Sequence, residues 1–199
     1  MRSLVILNGH LEDAGFLRKL DSECEFTVCA DGGYKNALKA DIVPDVVVGD
    51  FDSLGKVPNN VKTEVFSKFK DLTDGEIAIE TAISNGADEI YITCAFGGRT
   101  DHELSNVFLL KKYKNAVISE KSVTVYPTDS EFVIRNKKGT TVSIIPLEKT
   151  TVSLEGFFYP LSNGIIEIGT TLTMSNVVTE DNAKIKSDGG TVLIFINNQ

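Results

Sequence analysis

Near residue 122 the hydrophobic periodicity of this chain changes character, and that change constrains its fold more than any single motif. Up to that point short apolar runs alternate with helix-like segments, the pattern of an α/β domain built on a mostly parallel sheet. Runs at Leu4–Leu7, Phe26–Ala30, Asp45–Val48, Glu89–Ala95 and Ala116–Ser119 read as its strands. Beyond it, helical periodicity stops. β-Branched runs at Val123–Tyr126, Glu131–Arg135, Thr140–Ile145, Thr150–Leu154, Ile165–Ile168, Thr170–Met174, Ala183–Ser187 and Thr191–Ile196 follow. Turn residues such as Lys138-Gly139, Asn163-Gly164 and Asp188-Gly189-Gly190 separate several of them. Short strands at this density predict a small β-sandwich or barrel. The expected fold is an α/β N-terminal domain over residues 1–122 and an all-β sandwich over residues 123–199.

Two helix starts in the first part are legible. Thr73 with Glu76 has capping-box spacing and is followed by Ile79, Ala82 and Ile83 on one face. Thr100 with Glu103 repeats the spacing, followed by Leu104, Val107 and Phe108. Asp74 and Asp101 then each occupy the first helical position, where the helix dipole favours an anion. Tuning of helix ends explains those two aspartates taken singly, but not Asp50, Asp52 or Asp71.

Those residues belong to three acidic clusters: Gly49-Asp50-Phe51-Asp52-Ser53, Asp71-Leu72-Thr73-Asp74 and Gly97-Gly98-Arg99-Thr100-Asp101-His102. Each lies at the exit of an apolar run or at a helix start, where an open α/β sheet places its ligand. Gathered carboxylates repel one another unless a cation sits among them. Hard divalent cations such as Mg²⁺ take oxygen ligands and also hold substrate phosphates. In an extended segment Asp50 and Asp52 face the same side, with Phe51 turned back into the protein. The strand ends Asp31-Gly32-Gly33 and Gly97-Gly98-Arg99 offer free N–H groups to a phosphate, and Arg99 adds a charged donor. The usual nucleotide signatures, Gly-x-x-x-x-Gly-Lys-Ser/Thr and Gly-x-Gly-x-x-Gly, are absent from the sequence.

The balance of 28 acidic against 20 basic residues, net −8, argues against nucleic acid as a partner. Three cysteines, none in zinc spacing, read as buried reduced thiols. The apolar start is too short for a signal peptide, and no run approaches the ~20 residues of a membrane span. The expectation is a soluble cytoplasmic protein without a membrane partner.

The order of these motifs carries a resemblance. Ala30-Asp31-Gly32-Gly33, Pro44-Asp45 with Gly49-Asp50-Phe51-Asp52-Ser53, Lys70-Asp71-Leu72-Thr73-Asp74, and Gly97 to His102 with Leu104 and Asn106 resemble the thiamine pyrophosphokinase family. Gly156-Phe157-Phe158-Tyr159-Pro160-Leu161 and Thr173-Met174-Ser175-Asn176 extend it into the second part. The resemblance implies transfer of the pyrophosphoryl group of ATP to the hydroxyl of thiamine, with Mg²⁺ required, by a homodimer with sites at the subunit interface. Carried over by position, Asp50, Asp52, Asp71 and Asp74 would hold metal, and Asp71, Asp74 and Asp101 would serve catalysis. Asp31, Gly32, Gly97, Gly98, Arg99 and His102 would line the nucleotide. Ser175 and Asn176 would meet thiamine. The chain has no tryptophan, so an aromatic wall must come from Phe157, Phe158 or Tyr159. Other readings are a haloacid-dehalogenase-type phosphatase, a pyrophosphokinase for another alcohol, and a non-catalytic sensor.

Overall fold

The structure is a computed structural model describing residues 1–51, 60–66 and 71–198. The chain divides into two compact units, Met1–Leu109 with Asn115–Lys121, and Leu110–Lys114 with Ser122–Gln199.

In the first unit the apolar runs become strands β1 (Arg2–Ile6), β2 (Phe26–Ala30), β3 (Val46–Gly49), β4 (Lys62–Val65), β5 (Glu89–Thr93) and β6 (Ala116–Ser119). Between them run helices α1 (Ala14–Ser22), α2 (Gly33–Lys39), α3 (Asp74–Ser84) and α4 (Thr100–Lys112). The described strands pair in parallel in the order β6-β5-β1-β2-β3-β4. Leu4, Val5, Ile6, Val28, Cys29, Val46, Val47 and Val48 are fully buried, as strands covered on both faces require. The chain leaves β1 toward β2 on one side and returns to β5 on the other. That order reversal, between β1 and β5, is where such sheets take their ligands.

Strand β4 has no counterpart among the expected strands. Its Lys-Thr-Glu-Val sequence lies at the sheet edge with two exposed positions, so neither an apolar run nor strict alternation marks it. Helix α3 starts as expected, with the Thr73 hydroxyl accepting from the Glu76 amide at 3.2 Å. Helix α4 departs from expectation. Thr100 is already helical, the Glu103 amide bonds the Arg99 carbonyl at 3.0 Å, and the Glu103 carboxylate accepts from Gly98 N at 2.8 Å. The acidic partner reaches back past the expected cap because the preceding glycine amide is the better-placed donor.

Apart from the last turn of α4, the described residues of the second unit form only strands and their connections. Strands β7 (Val123–Thr128), β9 (Thr141–Pro146), β12 (Asn176–Val177) and β14 (Val192–Asn197) pair antiparallel in the order β12-β9-β14-β7. Strands β8 (Glu131–Arg135), β10 (Thr150–Glu155), β11 (Leu161–Ile166) and β13 (Asn182–Asp188) pair in the order β11-β10-β13-β8. Alternate side chains, including Val142, Ile144, Val152, Leu154, Ala183, Ile185, Ile194 and Ile196, fill one core between the sheets. This period of two makes the sandwich, since a slip of one residue would turn every core side chain to solvent.

Two expected strands need correction. The run expected at Ile165–Ile168 pairs earlier, as β11, because Ile166 lies opposite Thr150 and Gly169 then turns with φ +94°. Thr170–Met174 forms turns, closed by Met174 N on the Thr171 carbonyl. Its β-branched side chains serve another end, since the buried Thr173 hydroxyl donates to the Ile144 carbonyl at 2.6 Å.

Candidate active site

The exits of β1, β2, β3 and β5 and the first turns of α3 and α4 enclose a cavity of about 340 Å³. Each wall is built locally. At the β1 exit, buried Asn36 of α2 donates both amide hydrogens, to the carbonyls of Leu7 at 3.1 Å and Gly9 at 3.0 Å. At the β2 exit Asp31 adopts a left-handed backbone, φ 42°, and its amide reaches across to the Val48 carbonyl at 2.7 Å. A non-glycine residue in that region is strained, and such strain clusters at functional sites. On Gly32 a Cβ would fall 2.2 Å from Asn8 Oδ1, so any larger residue there displaces the Asn8 side chain.

Three carboxylates meet there. Asp31 at the β2 exit, Asp50 at the β3 exit and Asp74 in the first turn of α3 each offer an oxygen within 4.8 Å of the other two. Asp31 is buried and the others are half-buried. An all-oxygen set of this kind suits a hard divalent cation and not a thiophilic one. Asp31 was expected beside the nucleotide, and the structure sets it in the acidic centre. Its place beside Asp50 follows from β2 and β3 being neighbours, a pairing that motif order alone does not reveal.

The remaining candidates are distributed as follows. Gly98, Arg99 and His102 line the cavity, joined by Asn8, Gly9, Thr73, Glu103 and Asn106. Asn8-Gly9 carried a signal in the sequence, since it ends the first apolar run. Gly97 turns with φ +76° against His10, while Gly32 packs on Asn8. Asp71 is exposed and does not line the cavity. The Asp101 carboxylate is held by the Arg99 guanidinium through two bonds, at 3.1 and 2.6 Å. That neighbour keeps the Asp101 carboxyl below the usual range. Asp52 lies outside the described residues. Of the extended geometry expected there, the described part departs: β3 ends at Gly49 and Phe51 takes φ 62°. Phe51 does point inward, at 4% exposure. In the second unit Ser175 is exposed with φ 53°. Asn176 is buried, its amide tied to the Tyr159 amide and carbonyl at 3.0 and 2.8 Å. Phe157 is buried, whereas Phe158 and Tyr159 are exposed and edge-on to each other at 4.9 Å.

The cysteines do not supply a nucleophile. Cys24, Cys29 and Cys94 are unbridged, and burial pushes the Cys94 thiol up to about 12.

Glu120, just past β6, was not anticipated. It is 3% exposed, and burial pushes its carboxyl up to about 7. A carboxyl raised in the folded state binds more protons there than in the unfolded chain. Its contribution to stability is therefore fully present below about 4.5 and is lost as pH rises to about 7. The loss amounts to about 3 kcal/mol. Urea unfolding at pH 5, 6 and 7 is expected to show wild type losing about 2 kcal/mol more across that range than Glu120→Gln does.

Comparison with known proteins bears on the same regions. Residues 17–121 match the family described as thiamin pyrophosphokinase, catalytic domain, and residues 130–192 match thiamin pyrophosphokinase, vitamin B1 binding domain. A thiamine pyrophosphokinase of Bacillus subtilis is 31% identical over 160 residues, covering 73% of this chain and 75% of that protein. Thiamine pyrophosphokinase 1 of Oryza sativa subsp. japonica is 27% identical over 222 residues, covering 94% and 83%. The crystal structure of thiamin pyrophosphokinase from Geobacillus thermodenitrificans superposes with a TM-score of 0.85 at 28% identity, covering 100% of this chain and 98% of the other. With both parts matched in order and the parallel sheet followed by the sandwich, the chain belongs to the thiamine pyrophosphokinase family of enzymes.

Proposed function

We propose that this protein transfers the pyrophosphoryl group of ATP to the hydroxyl of thiamine, giving thiamine diphosphate and AMP with Mg²⁺ as cofactor. The observation that carries the reading is the convergence of Asp31, Asp50 and Asp74 on one cavity at the carboxyl ends of the strands. The donor set fits Mg²⁺, which when bound there supplies positive charge against phosphate oxygens.

The chain's own residues do the rest, which in phosphoryl transfer is mainly positioning and charge neutralisation. The amides of Gly9 and Gly98, expected to be open to phosphate, are already taken by the Cys94 carbonyl and the Glu103 carboxylate, so Arg99 at the cavity wall is the donor that reaches a phosphoryl oxygen. Asp101 orients Arg99 and, with its lowered pKa, is a poor proton acceptor. Asp71, exposed just before α3 and outside the cavity lining, lacks the contact that a proton acceptor for the hydroxyl needs. His102 and Asn106 form the adjoining wall. Residues 1–122 act as the nucleotide-binding part and residues 123–199 bind thiamine and support a cytoplasmic homodimer. In that part Ser175, Phe158 and Tyr159 are the contacts, with buried Asn176 holding the Tyr159 backbone in place and the sites at the subunit interface. No described helix is long and apolar enough to cross a membrane.

The test is AMP release from ATP, Mg²⁺ and thiamine, with thiamine omitted as control. Thiamine-dependent AMP is expected, and its absence sinks the reading. Hydrolysis of a generic phosphate ester instead favours a phosphatase. Arg99→Ala is expected to raise the KM for ATP about tenfold with little change in kcat. The effect is moderate because a bound phosphate only replaces Asp101 as partner. An unchanged ATP dependence removes Arg99 from the site.

A further inference from the structure

The exit of β5 is held from both sides. Its carbonyls are taken by the β1 exit and α4: Gly9 N bonds Cys94 O at 2.8 Å, His10 N bonds Phe96 O at 2.6 Å, and Asn106 Nδ2 bonds Ala95 O at 3.0 Å. Its amides are taken by Glu120. One carboxylate oxygen accepts from Ala95 N at 2.7 Å and the other from the Thr93 hydroxyl at 3.2 Å, and the Cys94 amide also bonds the carboxylate. Cys94 sits in the left-handed region, φ 53°, which aims successive amides at one acceptor. Backbone concavities of this kind take anions, and here the anion is a side chain of the protein itself. Four residues further on, Gly98 and Arg99 face the cavity.

We propose that Glu120 is a positioning residue: its carboxylate pins the β5 exit in the strained turn that presents Ala95, Gly98 and Arg99 to the cavity, and so sets nucleotide affinity without touching nucleotide. The inference rests on the ATP-dependent reading given above. It explains why a carboxylate is buried where its ionisation is costly. No apolar side chain can satisfy two amides and a hydroxyl at once, and buried amides left without acceptors cost more than the bonds return.

The grip depends on ionisation. An ionised carboxylate offers acceptors to all three donors. A protonated one loses an acceptor and gains an O–H, leaving it the hydrogen-bonding equivalent of glutamine. Burial places that change near neutral pH. The group facing Glu120 with like charge is Glu12, and the Cys94 thiol adjoins it. Lys39 faces Cys94, and Lys121, next in the chain, is committed to Asp13 at 2.5 Å.

The experiment compares wild type with Glu120→Gln from pH 6 to pH 8, which cancels the titration of ATP itself. The KM for ATP of the variant is expected to exceed wild type about fivefold at pH 8 and to match it near pH 6, with kcat within about twofold. Hydrogen–deuterium exchange over residues 93–99, corrected for intrinsic rates, is expected to be faster in the variant at pH 8 and equal at pH 6. A KM ratio and an exchange difference that stay flat across pH overturn the proposal. Exchange requires no turnover. Wild type that releases no AMP yet shows the exchange pattern overturns the reaction and supports the positioning role.

Discussion

Asp74→Asn is expected to lower thiamine-dependent AMP release about a thousandfold while leaving the fold intact. Asparagine keeps the shape of the side chain and removes its charge. With Asp31 and Asp50 within 4.8 Å, the loss takes one of three anionic ligands from the same point. The substitution also separates a chemical role from a structural one, because the two have opposite signs. Without metal, three carboxylates so close repel one another, so neutralising one should raise the melting temperature in EDTA by about 3 °C. Lower activity with higher metal-free stability is the expected pair. Activity near wild type at saturating Mg²⁺ would exclude Asp74 from the metal set, and a lowered melting temperature would mark it as a structural helix-end residue.

The second large effect is on stability. At Gly33, the first residue of α2, a Cβ would lie 2.1 Å from the Ile6 carbonyl oxygen and 2.8 Å from its carbon. Both are backbone atoms of the central strand, so no side chain can swing aside. Either α2 lifts from the sheet or β1 shifts against both its neighbours. Gly33→Ala is expected to cost about 3 kcal/mol, read as a fall of about 10 °C in a thermal melt. An unchanged melting temperature would mean that α2 does not seat on the β1 exit in solution.

How much of this is legible in the sequence differs by kind of interaction. The parallel sheet and the sandwich are written in periodicity. Phe26–Ala30, Ala116–Ser119 and Glu131–Arg135 are strands at the expected bounds. Such runs have β-branched or aromatic centres that mark them as strands. Lys62–Val65 is illegible because an edge strand has little burial to enforce a pattern. Thr170–Met174 misleads because its β-branched residues serve side-chain bonds instead of a ladder. The acidic centre is legible in part. Asp50 and Asp74 stand where strands and helices meet, but the place of Asp31 beside them depends on which strands are neighbours. The Arg99–Asp101 fork and the Glu103–Gly98 bond turn on rotamers, which no spacing encodes. Glu120 is invisible for the same reason. It lies 25 residues from the amide it serves, with no motif linking the two.

The central position of β1 has a consequence for how the molecule matures. One edge of it binds Phe26–Cys29, which emerges soon after, whereas the other waits for Glu89–Thr93. All three carboxylates are synthesised before that second edge is covered. A nascent chain thus carries its charged trio on an unfinished platform, with the apolar Leu4, Val5 and Ile6 of β1 bare along one edge. Long-range closures of this type are slow, because loop entropy is spent before contacts return it. Completion of the crevice, rather than acquisition of its chemical groups, is the late event in assembly.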